Sequence, residues 1–259
     1  MRVLILPDPA AAAERAAGLI AERLRRQPRT VLGLATGGTM EALYARLIAH
    51  HRAGDVSFAA ARSFNLDEYV GLSPDHPASY WRYMRAHLFD HVDFAPGATL
   101  LPHGDTGDAR AEADRYEAEI VRAGDIGLQL LGLGANGHIG FNEPTSSLSS
   151  LTRVKTLTHS TREANARFFD DPADVPRHAI TMGIGTILRA QEVLLLAHGT
   201  GKAVAAAQMI EGPLSAACPA SALQLHRHAT VVLDETAAAK LSLRDYYEAV
   251  HPSGCDAEI

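Results

Sequence analysis

Short apolar runs alternate with helix-patterned stretches along nearly all of this 259-residue chain, and few architectures tolerate that rhythm. VLIL (3–6), TVLGLAT (30–36), SFNLDEY (63–69), IGLQLLGLG (126–134), AITMG (179–183), EVLLLAHG (192–199) and ATVVLD (229–234) read as strands, most of them buried. Asp8-Pro9 supplies an N-cap and a first-turn proline for a helix through AAAAERAAGLIAERLRR. A second helix is expected from Thr39 to about His50, and others over 79–92, 108–124 and 202–212, with a closing helix from about Glu235. Strands and helices in alternation predict an α/β fold, an open and mainly parallel sheet covered on both faces by helices. No internal repeat, low-complexity tract or linker divides the chain, so residues 1–259 are expected to form a single domain.

Composition removes several classes of function. The net charge of −6 argues against nucleic acid, whose partners carry a basic footprint. Two cysteines, Cys218 and Cys255, cannot build a disulfide framework. MRVLILPDP is too short in its apolar part for a signal peptide, and no run approaches the roughly 20 apolar residues that span a bilayer. The expectation is a soluble, cytoplasmic protein with no membrane partner.

Ligands of open parallel sheets collect beyond the carboxyl ends of the strands. Three segments fall there. In the first, GLGANGHIGFNE (132–143), Gly132, Gly134 and Gly137 spell G-x-G-x-x-G behind an apolar run, the fingerprint of a dinucleotide turn. That turn needs a helix opening at the third glycine and an acid roughly 20 residues on. Pro144 and TSSLSS are loop chemistry instead, and TRVKTLTH (152–159) has Arg153 and Lys155 but no acid. The glycines therefore serve another purpose. On either side of the glycine-rich bend stand His138, able to exchange protons at neutral pH, and Glu143, able to fix its tautomer. A loop histidine satisfied by a turn carbonyl, and a solvated turn acid, are the plainer readings of the same residues.

The second segment, ATGGT (35–39), sits between a strand and a helix. Gly37-Gly38 frees backbone N–H groups there, and they and the positive end of the helix dipole face one spot, an anion cradle. The G-K-[ST] of a nucleotide triphosphate loop is absent. An unoccupied strand-to-helix turn would look the same. Arg167 and Lys202 are placed to add cations, although most such residues are simply solvated. The third segment, NLDEY (65–69), puts Asp67 at a strand end, where desolvation raises a carboxyl pKa and makes a useful base. A salt-bridge or capping role for Asp67 is an equal alternative, and Glu68 reads as a surface or structural acid. His226 and His228 have no third partner and read as structural, with no metal expected.

GLATGGTMEALY (33–44), VSFAAARSFNLDEYVGLSPDHPASYWRYM (56–84), LGLGANGHIGFNEPTSSLSSLTRVKTLTHSTREANARFF (131–169), AITMGIGTIL (179–188) and GTGKAVA (199–205) together resemble the glucosamine-6-phosphate deaminase family. The resemblance runs through most of the chain in the family's order. It implies a Rossmann-like sheet of the sugar-phosphate isomerase type and conversion of an amino sugar phosphate and water to fructose 6-phosphate and ammonia, without cofactor. By the same resemblance Ala35–Gly38, Arg167 and Lys202 hold the phosphate. His138, oriented by Glu143, moves the ring-opening protons. Asp67 carries a proton from C2 to C1, and water then hydrolyses the iminium. Some members have aspartate where this chain has Asn136, so the resemblance assigns Asn136 an orienting role and the relay to Glu143.

Members activated by N-acetylglucosamine 6-phosphate grip it, at a subunit interface, with the segment after F-N-E-P. Here that segment keeps Ser146, Ser147, Arg153, Lys155 and Thr156, which implies a homo-oligomer such as a hexamer. A solvated basic strand is the alternative reading of those residues. TREANARFF is similar to the family's mobile lid, expected over about 153–181. Two other functions fit the cradle: a phosphogluconolactonase-like hydrolase, which needs no base at C2, and a non-catalytic sugar-phosphate sensor, which needs none of Asp67, His138 and Glu143.

Overall fold

The computed structural model describes residues 1–166, 169 and 171–255. The strands are β1 (Arg2–Leu6), β2 (Val31–Leu34), β3 (Arg62–Asn65), β4 (Asp67–Tyr69), β5 (Thr99–Leu100), β6 (Leu128–Leu131), β7 (Arg153–Thr156), β8 (His178–Thr181), β9 (Glu192–Ala197) and β10 (Ala229–Asp234). The helices are α1 (Pro9–Arg26), α2 (Gly38–Arg52), α3 (Tyr80–His87), α4 (Ala109–Arg122), α5 (His159–Asn165), α6 (Ile184–Leu188), α7 (Ala203–Ile210) and α8 (Arg244–Val250).

Local signals place most of these boundaries. The Asp8 carboxylate accepts the Ala11 N–H and Pro9 opens α1; Asp108 does the same for α4 and Ser79 for α3. Seven strands form one sheet in the order β1-β10-β9-β6-β2-β3-β5, every neighbouring pair parallel. Its two halves run outward from β2 and β6, so the switch point lies between those strands, where a crevice opens at their carboxyl ends. The core is continuous across the sheet. Leu32, Leu130, Leu195 and Val232 are fully buried, and Ile20 of α1 and Leu43 of α2 join them. On β3, Phe64 meets Tyr116 of α4 edge-on, with ring centroids 5.6 Å apart.

Two expectations need correction. SFNLDEY is not one strand: β3 ends at Asn65, and Asp67 begins β4 in a second, antiparallel sheet of order β4-β8-β7. The change of sheet occurs at Leu66, whose N–H still donates to Leu34 O of β2 (2.9 Å) while its carbonyl accepts from Met182 beyond β8 (2.7 Å). Apolar pattern cannot see this break, because both sides of it are buried. The closing helix starts at Arg244 rather than near Glu235, since residues 235–240 are spent on turns anchored by Asp234, which accepts from Ala237 N (2.7 Å). Among the described residues, no helix is long and apolar enough to cross a membrane.

Candidate functional site

Beyond the switch point lies a cavity of about 800 Å³ whose walls come from the turns after β2, β3, β6 and β9. A larger cleft, about 1010 Å³, opens at the opposite, amino-terminal edge of the sheet around Arg2, Arg25 and Arg227, and holds none of the predicted site residues. Chemistry, not size, selects the first.

Ala35, Thr36, Gly37 and Gly38 form one wall. Gly37 adopts φ 110°, a conformation L residues rarely adopt, at the turn that starts α2 on this wall. The turn is pinned from behind: Tyr44 Oη donates to Ala35 O (2.5 Å) and Tyr83 Oη to Gly37 O (2.9 Å). Lys202, at the end of the turn after β9, reaches the same cavity, where partial burial lowers its pKa. Arg167 lies outside the described residues.

Asp67 lines the cavity next to the glycine-rich loop: a Cβ added at Gly140 would lie 3.3 Å from its Oδ2. It is the register partner of Thr181 on β8 and only 6% exposed. Burial, reinforced by the neighbouring charge of Glu68 and opposed by the Thr181 hydroxyl, pushes its pKa up to about 8. Glu68 points away into the protein, as the pleat requires. Its carboxylate accepts the N–H groups of Tyr69 (2.8 Å), Tyr80 (3.0 Å) and Trp81 (3.0 Å), which ties β4 to the start of α3. Of the two expectations for Glu68, the structural one describes it.

The loop after β6 explains its glycines. Gly134 N donates to His138 O (2.9 Å) and Gly137 N to Gly134 O (3.0 Å), folding the chain into a tight cup. The imidazole of His138 lies against Gly134, where any Cβ would approach its ring to 2.4 Å. Gly137 has φ 80° and faces Cys218, whose Sγ would be 2.6 Å from an added Cβ. The G-x-G-x-x-G spelling thus seats an imidazole, with no helix opening at the third glycine.

His138 Nδ1 is 2.7 Å from Asn136 Oδ1, whereas Glu143 Oε2 is 3.6 Å away, an ion-pair distance beyond hydrogen bonding. The resemblance gave orienting roles to both Glu143 and Asn136; the direct contact with the ring belongs to Asn136. Its Nδ2 donates to Glu143 Oε2 (2.8 Å), so its oxygen must face the ring, and it also accepts the His138 N–H (3.2 Å). That arrangement requires the proton on Nδ1 and leaves Nε2 as the basic nitrogen of the neutral ring. Glu143, 4% exposed, stands behind this pair rather than at the cavity wall. Burial works against its ionisation, but the nearby His138 imidazole and hydrogen bonds from Thr161 and Asn136 outweigh it and hold its pKa down at about 2.

Several wall residues carry no sequence signal of their own. Tyr80, Thr161, Asn165 and His198 reach the cavity through the meeting of α3, α5 and the β9 turn. The five residues read as an effector site are not on its wall. Ser146 is buried and its hydroxyl has no hydrogen-bond partner among the described residues, Ser147 Oγ meets Ser149 Oγ (3.1 Å), and Arg153 Nη1 donates to Leu151 O (3.3 Å). Lys155 is half-buried and Thr156 exposed on β7, an edge strand of the small sheet. His226 is structural: its Nε2 donates to Ala190 O (2.8 Å) and its Nδ1 accepts from His228 N (3.1 Å). Among the described residues, no three His, Cys, Asp or Glu side chains group as metal ligands.

A family model described as glucosamine-6-phosphate isomerases/6-phosphogluconolactonase matches residues 8–232. A glucosamine-6-phosphate deaminase of Shewanella loihica is 56% identical over 247 residues, 95% of this chain and 92% of that protein. One of Hahella chejuensis is 55% identical over 247 residues, covering 95% and 94%. A solved structure of a monomeric glucosamine-6-phosphate deaminase superposes with a TM-score of 0.91 at 45% identity, over 93% of this chain and 100% of that one. A 6-phosphogluconolactonase from Trypanosoma brucei shares the fold, with a TM-score of 0.75 at 20% identity over 93% of this chain and 98% of its own.

Proposed function

Because this chain belongs to the glucosamine-6-phosphate isomerase/6-phosphogluconolactonase family, we propose that it is a glucosamine-6-phosphate deaminase, converting glucosamine 6-phosphate and water to fructose 6-phosphate and ammonia. The observation that carries this reading is convergence: an anion cradle, a buried carboxyl with a raised pKa and a tautomer-fixed imidazole face one cavity. The phosphate docks on the backbone of Ala35–Gly38 with Lys202 and Arg167 and sets the register of the sugar. His138 moves the protons that open the pyranose ring, its Nε2 basic because Asn136 and, behind it, Glu143 hold Nδ1 protonated. Asp67 removes the C2 proton, acidified by the adjacent aldehyde, and returns it at C1. The ammonium of the bound amino sugar favours the ionised form of this otherwise protonated carboxyl. Water then adds to the iminium at C2 and ammonia leaves, a net hydrolysis that calls for no metal or cofactor.

The test is ammonia release from glucosamine 6-phosphate, with the Asp67→Asn variant beside the wild type. The variant is expected to lose about 10²–10⁴-fold in kcat, the usual contribution of a general base, and to bind fructose 6-phosphate within a few-fold of wild type. A wild type that hydrolyses 6-phosphogluconolactone instead, or binds the sugar phosphate without turnover, sinks the reading in favour of the lactonase or the sensor.

Four finer assignments go with it. Helix α5 and its surroundings within 153–181 act as a lid, supported by Thr161 and Asn165 on the cavity wall. Ser146, Ser147, Arg153, Lys155 and Thr156 receive an N-acetylglucosamine 6-phosphate effector, supported by the buried Ser146 hydroxyl and an Arg153 Nη2 that lack hydrogen-bond partners among the described residues. That effector calls for a homo-oligomer such as a hexamer, and the monomeric relative defines the rival state. The enzyme works in the cytoplasm, in keeping with two cysteines that form no disulfide.

A further inference from the structure

Glu143 is held from two sides, and only one of them is the loop that carries His138. Asn136 Nδ2 binds Oε2. Oε1 is bound by the first turn of α5: the Thr161 hydroxyl donates to it in a short contact, and Thr158 Oγ1 lies 3.2 Å away. The two hydroxyls are themselves linked, Thr158 Oγ1 to Thr161 Oγ1 at 3.0 Å, and the Thr161 N–H donates to Thr158 Oγ1 (3.2 Å). With the Thr161 proton directed at the carboxylate, the Thr158 proton serves Thr161 or shares Oε1. Thr161 is 8% exposed and Glu143 4%, so water does not readily replace a lost donor. Among the described residues, the titratable group within ion-pair reach of Glu143 is His138.

We infer that Thr161, supported by Thr158, is a positioning residue: it passes the placement of helix α5 through Glu143 and Asn136 to the tautomer and orientation of His138. The mechanism follows from hydrogen-bond direction. With Oε1 occupied by α5, Oε2 is fixed toward Asn136, the amide cannot turn over, and the His138 proton stays on Nδ1. With α5 displaced, Oε1 is left unsatisfied, the carboxylate is free to rotate, and the amide loses its anchor. The acid–base group is therefore complete only when the helix that walls the cavity is in place. Substrate enclosure and readiness for ring opening become one event.

The proposal rests on the deaminase reading, and the experiment separates the two. Thr161→Val removes the donor and keeps the shape; its backbone N–H remains for the Thr158 cap. Expected are a fall in kcat of about tenfold or more, a KM within about twofold, and an acid limb of the kcat/KM profile moved to higher pH as Glu143 becomes easier to protonate. Thr161→Ser restores all three. Thr161→Ala, which lacks valine's branch, reproduces the loss and keeps the test available if valine is not accommodated. Wild-type kcat and profile in both donorless variants overturn the inference, as does a serine variant as impaired as valine, or a defect confined to KM. A wild type inactive on glucosamine 6-phosphate defeats the parent reading instead.

Discussion

Asn136 occupies the position where an aspartate would make the site chemically different. As an amide it accepts from His138 and donates to Glu143, and so transmits orientation without adding charge. Asn136→Asp would set two carboxylate oxygens about 2.8 Å apart, judged from the present Nδ2–Oε2 contact. Like charges at that range cannot both persist, so the pair is expected to share a proton and titrate as a unit at higher pH than Glu143 does now. The acid limb of kcat/KM should move to higher pH, and superimposable profiles for variant and wild type would show the position to be catalytically silent.

The break between β3 and β4 is what makes Asp67 usable. Continuation of β3 would have kept the carboxylate in the large sheet; the switch at Leu66 sets it against Thr181 of β8 and the loop at Gly140. Partners for β4 come from β8 and then β7, far along the chain, so no window of sequence around NLDEY reports the change. Strand β7 is also the element on which the effector proposal stands. Arg153→Ala is expected to leave basal turnover within about twofold and to remove any activation by N-acetylglucosamine 6-phosphate, together with any effector-dependent change in mass by light scattering. Hyperbolic wild-type kinetics indifferent to the effector, from a monomer, would eliminate that site.

At the scale of the molecule, Asp67 sets function against stability. Its folded pKa of about 8 stands above the ordinary 3.8, so between those values the folded protein holds a proton that the unfolded chain has released. Stability from this group is therefore full below about pH 4 and is lost as pH rises towards 8. Asp67→Asn removes that titration. Without substrate, the variant should melt higher than wild type at pH 8, by at least roughly 4 °C for a chain of this size, and the gap should close towards pH 4. A gap independent of pH would mean that the carboxyl ionises as freely in the folded protein as in the unfolded one.

Much was legible before any coordinates. The cap at Asp8, seven apolar runs and the Gly37-Gly38 turn are local signals, decided by backbone sterics and by period, and they specify helices, strands and an anion cradle directly. The type of chemistry was also readable, because a histidine, two carboxylates and a cradle are few enough to name. Hydrogen-bond order was not. Whether His138 meets Asn136 or Glu143 is a matter of about an ångström, settled by how Gly134 lets the ring lie on the loop. Thr158 and Thr161 look like ordinary helix-start residues until α5 packs over Glu143. The raised pKa of Asp67 likewise needs burial supplied by chain segments remote in sequence. Spacing along a chain encodes local geometry; desolvation and donor–acceptor pairing are properties of neighbours, and neighbours here were chosen by the packing of the whole fold.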